Sequence, residues 1–408
     1  MRLSHLGILI VCAAMIPAET VCQHEVIHSD IDGIPLVRTE GGPKFDGPLF
    51  EIERDLVLGI DEGEPEWQIF WASPLLMVAP DGRMVLIAHR KCEVYIVSKD
   101  GDLIARTGGP GSGPGEFRQP WFYSWYEPGE SFIVDDRSLN RATRISMTGE
   151  LLDTQNYGHQ MERRWQAYIA LGNGRYLGHH TPGEGGRTVG RPIEFVNKYF
   201  FMDSEFGFVE DFIDLRYSVS FATSPNGGAG IPFLRAPGFL AFPDGRILQH
   251  DPEEGRLTIR TTYGEPILHF ERDWERKRVS ARDREEGRKR FLESDQPYMR
   301  RVASRIPFPS RYSAFSRVIT DDRGRIWVEY VDGPYQSSIL GDHFTFDVFG
   351  PDGVWLGVQE LEYYPTRIRG DYLYRRGAIG DSGSRIQRFH LRPLVPEAAG
   401  EIPPSDHE

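Results

Sequence analysis

Cysteine is scarce, at three in 408 residues: Cys12, Cys22 and Cys92. Basic residues are outnumbered, with 47 Lys and Arg against 60 Asp and Glu, for a net charge of −13. A protein that grips nucleic acid needs a basic face, so that class is set aside. No apolar run reaches 18 residues, so no helix of the length needed to span a bilayer is expected. What is abundant points elsewhere. Apolar residues make up 39% and aromatics 12%, enough for a large core and too much for a disordered chain. The 44 glycines and 29 prolines suit a fold of many short strands and turns.

The first 18 residues read as a secretory signal. Arg2 gives a basic start, Leu6 to Ile16 is an apolar run of 11, and Ala18 offers a small residue at the cut. A lipid anchor at Cys12 or Cys22 is disfavoured, because Val precedes each where a small residue is needed. Cleavage after Ala18 leaves Cys22 and Cys92, which an oxidising compartment would allow to pair. A periplasmic or secreted location follows, with residues 19–48 as an N-terminal tail.

A Gly-Arg turn recurs at Gly82-Arg83, Gly174-Arg175, Gly245-Arg246 and Gly324-Arg325. Strand-like runs flank each turn, most clearly Leu75 to Ala79 with Met84 to Ala88. Glycine accepts the positive φ of a tight hairpin, so each site predicts two antiparallel strands. A second glycine turn follows each hairpin, and 19 residues separate both Gly82 from Gly101 and Gly245 from Gly264. Where the spacing is wider, the excess falls at Thr181 to Arg191 and Val331 to His343, which read as lengthened loops. Five four-stranded units can be counted this way.

A sixth unit has only three strands, Thr366 to Arg369, Tyr372 to Arg375 and Arg385 to Leu391. The alternating run Phe50 to Leu58 can supply the fourth and remove an open sheet edge. The expected fold is all-β: a six-bladed β-propeller with four-stranded blades over residues 49–393, closed by the N-terminal strand. A seventh blade would have to come from the connector at 213–235. The charged stretch at about 273–296 reads as a helical insertion, an arm or lid with few sizeable apolar residues, among them Trp274, Val279 and Phe291. Residues 394–408 read as a polar tail.

Gly108 to Phe117 reads GGPGSGPGEF, and Pro120, a strand ending in Asp135-Asp136, and Asn140-Arg141 follow. This resembles the NHL-type repeat. The tail from Ile379 to Gly383 before Arg385 to Leu391 is similar to the closing strand of exported bacterial six-bladed propellers. The resemblance implies a propeller and fixes no activity. The glycine loop is not a phosphate cradle, because its prolines lack amide donors and no helix follows. It reads as a connector with Phe117 packed between sheets. Arg369-Gly370-Asp371 falls at a hairpin turn and is a chance tripeptide.

Counting from the turn glycines puts Asp135, His179, His250, Glu329 and Arg375 at the exits of second strands, all on one rim. Arginines and aromatics crowd the connectors to that rim: Arg118, Trp121, Arg164, Trp165, Arg235, Arg311, Tyr312 and Tyr364. Guanidinium forks suit anionic groups, and aromatic faces suit ring ligands. The expected role is a binding or scaffold module without a cofactor, taking an anionic protein, peptide or glycan ligand. Arg118, Arg235 and Arg311 join the five exits as site residues. Long connectors at Asp214 to Leu234 and Asp273 to Ser310 would serve this rim, while the opposite rim would have little material for a pocket. The competing reading is a metal-assisted lyase or hydrolase in the central mouth. Zinc or calcium would sit there on His179, His250 and His89. An amidoglycolate lyase is similar in gathering histidines from separate blades round zinc, but its local motifs are absent.

Overall fold

Gly82, Gly245 and Gly324 take φ of 86°, 88° and 75°, a region that side chains with a Cβ rarely enter. Each folds the chain back between two strands. The computed structural model describes residues 24–59, 74–156, 167–172, 174–181, 188–224, 227–330, 343–379 and 383–399.

Three strands come first: β1 (Glu25–Ile31), β2 (Ile34–Glu40) and β3 (Phe50–Leu58). The first sheet then runs β4 (Leu75–Val78), β5 (Met84–Ala88), β6 (Glu93–Val97) and β7 (Leu103–Gly108). The second is β8 (Pro120–Glu127), β9 (Ser131–Asp136), β10 (Arg141–Ser146) and β11 (Leu151–Asn156). The third has five strands, β12 (Ala167–Gly172), β13 (Arg175–His180), β14 (Pro192–Met202), β15 (Phe208–Ser224) and β16 (Gly227–Gly230). The fourth opens with β17 (Gly238–Ala241), β18 (Ile247–Asp251), β19 (Arg256–Arg260) and β20 (Pro266–Arg272). Helices α1 (Ala281–Leu292) and α2 (Pro297–Val302) follow. The fifth sheet is β21 (Phe315–Thr320), β22 (Ile326–Tyr330), β23 (Phe344–Phe349) and β24 (Trp355–Leu361). The sixth is β25 (Arg367–Arg369), β26 (Tyr372–Ile379) and β27 (Gly383–Pro393), completed by β3. That pairing is antiparallel, from Phe50 opposite Pro393 to Leu58 opposite Ile386.

Six apolar layers lie between the sheets. Val85 and Ile87 meet Phe132 and Val134 between the first and second. Ile133 and Ala142 meet Tyr176 and Phe200 in the next layer. Leu177 meets Phe239, Leu248 meets Phe315 and Val328, and Trp327 meets Leu373 in the three that follow. Tyr374 and Ile386 return to Leu76 and Leu86 of the first sheet. The layers close a circle, so the inner strands of each sheet are covered by its two neighbours. The fold is all-β and propeller-like.

Several parts differ from expectation. Residues 25–40, read as tail, form a hairpin that extends the fourth sheet to six strands through a parallel β2–β20 pairing. Strand β15 runs through to Ser224, so Asp214 to Leu234 is mostly sheet and adds no further sheet among the described residues. In the supposed polar tail, Pro396–Ala399 forms a short helical turn. Ala398 is fully buried, and its carbonyl accepts from the buried Arg325. The charged insertion is helical, as read. Ser280 and Asp283 cap α1 reciprocally, at 3.2 and 2.8 Å. Trp274, Val279 and Phe291 are all buried. Phe291 packs with Val302 and Ile306 against Phe221 and Ile231, so the insertion docks on the extended hairpin of the third sheet. Met1 to Ala18, Cys22, Arg164, Trp165 and Val331 to Asp342 lie outside the described residues.

Candidate functional site

Strand register places the second-strand exits beside the first-strand entries. Asp135 is opposite Phe122, His179 opposite Ala167, His250 opposite Gly238 and Glu329 opposite Arg317. Next to Arg375, Tyr374 is opposite Arg367. Within each sheet, therefore, the exit and the connector share an end.

The side chains then diverge, because alternation sends each into the layer on one flank of its sheet. Asp135 shares a face with Ile133, which packs towards the third sheet, and it is fully buried. His179 lies 5.1 Å from the Tyr199 ring, in the layer between third and fourth sheets. Burial, and then His180 and Arg137, hold its pKa below the ordinary value. His250 faces Phe315 of the fifth sheet, with ring centroids 6.4 Å apart. Burial pushes its pKa down to about 4, against a weaker opposing pull from Asp251. His89 stacks on Trp121 at 4.8 Å. The three histidines thus occupy different places, and among the described residues no three His, Cys, Asp or Glu side chains come together to hold a metal.

One group does assemble. Glu329 is buried and accepts a hydrogen bond from Ser316 Oγ at 2.8 Å. Arg317 Nε lies 3.8 Å from the same carboxylate. The Arg317 guanidinium also sits 4.3 Å from the centre of the Tyr364 ring. Arg235 enters from the connector to the fourth sheet, its amide bonded to Ser313 Oγ at 3.0 Å. Burial, and then the like charge of Arg317, lower the Arg235 pKa, while Glu329 opposes this. Burial raises the Glu329 pKa despite Ser316, Arg317 and Arg235. One guanidinium, that of Arg317, thus meets the carboxylate while the charge of Arg235 also acts on it, and Glu329 Oε1 is buried without a hydrogen-bond partner among the described residues. On β26 of the sixth sheet, Arg375 lies 5.1 Å from the ring of Tyr363, the residue before Tyr364.

Arg118 and Arg311 stand apart from this group. Arg118 is exposed, and its backbone amide, with that of Gln119, donates to Asp136. Arg311 is exposed and donates to the Arg276 carbonyl at 2.7 Å. Phe117 is fully buried between the first two sheets, and Arg141 holds the glycine loop through Ser112 O and Glu116 O. Sequence reading missed Arg317 and Ser316. Their register opposite Glu329 was the available signal, but it required the exact strand pairing.

The opposite rim is not bare. A cleft of about 370 Å³ opens between the second and third sheets, beside the hairpin turn Ser204–Phe206.

No family model matches this chain. No curated protein matches it either. Among solved structures, a candidate exported protein of Bacteroides fragilis is similar at 11% identity and a TM-score of 0.51, covering 88% of this chain and 99% of that one. A DUF4221 family member from Bacteroides vulgatus is 12% identical with a TM-score of 0.49, over 85% and 99%. A virginiamycin B lyase from Staphylococcus aureus is 9% identical with a TM-score of 0.40, over 84% and 99%. At such identities the likeness is one of fold, and the circle of sheets described above gives that fold its propeller-like character.

Proposed function

We propose that this chain is an exported six-bladed propeller, built from four-stranded blades with additions on the third and fourth, that works as a binding module through the rim of second-strand exits. Six antiparallel meanders and six closed apolar layers support the blade count. The basic start, apolar run and Ala18 support export.

The observation that carries the binding reading is the group of Arg235, Arg317, Glu329 and Tyr364. Among the described residues, Arg317 meets Glu329 and Tyr364 and Arg235 stands near them, so positive charge gathers in a partly desolvated place. That charge is worth most to an incoming anion, since desolvation strengthens a paired interaction. The ligand is accordingly an anionic peptide or glycan, or an acidic surface of a partner protein, held at the junction of fourth, fifth and sixth sheets.

The test is thermal shift with glutamate, glucuronate and an acetylated acidic peptide as probes. At least one should raise the melting temperature of the wild type. An Arg235→Ala, Arg317→Ala double variant should lose at least about tenfold in affinity, or about 1.4 kcal/mol. A wild type that responds to none of the three, or a double variant that binds as well, overturns the reading.

A further inference from the structure

The cleft between the second and third sheets lies outside the rim discussed above, and its lining is chemically specific. Arg144 on β10 points towards the third sheet, sharing a face with Ala142, which packs with Tyr176 and Phe200. Its guanidinium stacks 3.9 Å from the centre of the Tyr126 ring. Nη2 bonds Glu127 at 2.8 Å and Nε bonds Ser131 Oγ at 3.2 Å. Asp153 stands opposite Arg144 in register. Two residues further on, Gln155 Nε2 donates to the Glu205 carbonyl at 2.7 Å and ties the cleft's two walls together. Phe206 closes the floor from the third sheet, stacked on Tyr176 with centroids 5.0 Å apart. The Tyr176 hydroxyl is buried and has no hydrogen-bond partner among the described residues.

Three ligand classes fit this lining poorly. An anion would meet a guanidinium already matched by Glu127, with Asp153 and Glu205 nearby. An amine would enter beside the Arg144 guanidinium, which lines the cleft opposite Asp153 and repels a second cation. An apolar ligand would strip water from carboxylates, an amide and a guanidinium without replacing it. What fits is a molecule whose polar groups each donate and accept, with an apolar face for Phe206 and Ala142. Hydroxyls on a puckered carbon ring have both properties, and the volume suits one or two such rings.

We propose that this cleft is a second binding site, for a neutral saccharide, with Asp153, Gln155 and Glu205 reading its hydroxyls and Phe206 and Ala142 taking its C–H face. The experiment is saturation-transfer NMR on the full chain. The probes are glucose, galactose, xylose, N-acetylglucosamine and their β-linked disaccharides, with methylammonium and glucuronate as contrasts. At least one neutral saccharide should receive saturation, with a Kd of roughly millimolar order or tighter. An Asp153→Ala, Gln155→Ala double variant should weaken that binding at least about tenfold while melting as a folded protein. Should that variant not fold, the exposed Glu205→Ala substitution gives the same readout. No transfer to any neutral saccharide, transfer only to methylammonium or glucuronate, or unchanged binding in the folded variant would each overturn the proposal.

Discussion

His250 lies near the end of β18 with its ring against Phe315 and its Nδ1 buried without a hydrogen-bond partner among the described residues. Burial takes its pKa from 6.5 to about 4 in the folded chain. Between those values the unfolded chain binds the proton and the folded chain does not. Stability therefore rises with pH through that window and is lost as pH falls. Asp347, pushed up to about 7 by burial against the pull of Arg272, works in the other direction, because its folded form holds the proton and loses stability as pH rises. One variant set beside the wild type separates them. His250→Leu should flatten the acid limb of the denaturation profile relative to the wild type, by at most about 3 kcal/mol between pH 6.5 and 4. Urea unfolding at a series of pH values is the measurement, and parallel profiles would remove His250 as the cause. Positions of this kind were legible in the sequence: counting five residues from a turn glycine reached His250 and Glu329. Their surroundings were not. Alternation tells which residues share a face, but not which neighbouring sheet supplies the opposing wall, so Asp135, His179 and His250 were grouped although each faces a different layer.

Strand β3 and the β1–β2 hairpin illustrate how far an element can be read from its pattern. Phe50 to Leu58 alternates and leaves Phe50 and Leu58 buried, so its closing role was visible from period two alone. The hairpin is an edge addition with most of β1 exposed or half-exposed, and its charged, mixed pattern resembles a tail. The length of β15 was hidden for a similar reason: its first half is largely exposed and reads as connector. These elements differ in what they hold. Thr39, Leu36 and Val37 are buried against the fourth and fifth sheets, whereas β3 completes the sixth. Truncation through Glu40 should lower the melting temperature and leave one cooperative transition. Truncation through Leu58 should abolish the cooperative transition, since it exposes both an unpaired β27 and the layer around Trp327. Calorimetry on the two truncations is the check, and a sharp melt in the longer one would refute closure through β3.

At the scale of the whole molecule, the repeat of glycine turns carried the architecture into view, because every hairpin needs a positive φ at one place and the spacing between such places is a strand pair long. What the repeat could not carry was the set of additions that break it: the long third sheet, the extra hairpin on the fourth, and the docking of α1. The export proposal also belongs here. Material recovered from the medium or periplasm should begin near Glu19, and N-terminal sequencing would show it. A soluble cytoplasmic form that begins at Met1 would refute it.

The leading segment follows a particular route. It pairs along β20 of the fourth sheet and then crosses to the fifth, where Lys44 and Phe45 donate to the carbonyls of Trp355 and Leu356 at 3.1 and 2.9 Å. Gln359 next accepts from the amides of Leu49 and Phe50 at 3.1 and 3.0 Å, before β3 enters the sixth. A pull on the N-terminus therefore meets these attachments in series. Strand β1 peels first, then β2, then the crossing, and only afterwards is the closing strand loaded. The strap acts as a mechanical fuse: tension from the front of the chain is spent on rungs outside the ring, and the ring stays shut until they have given way.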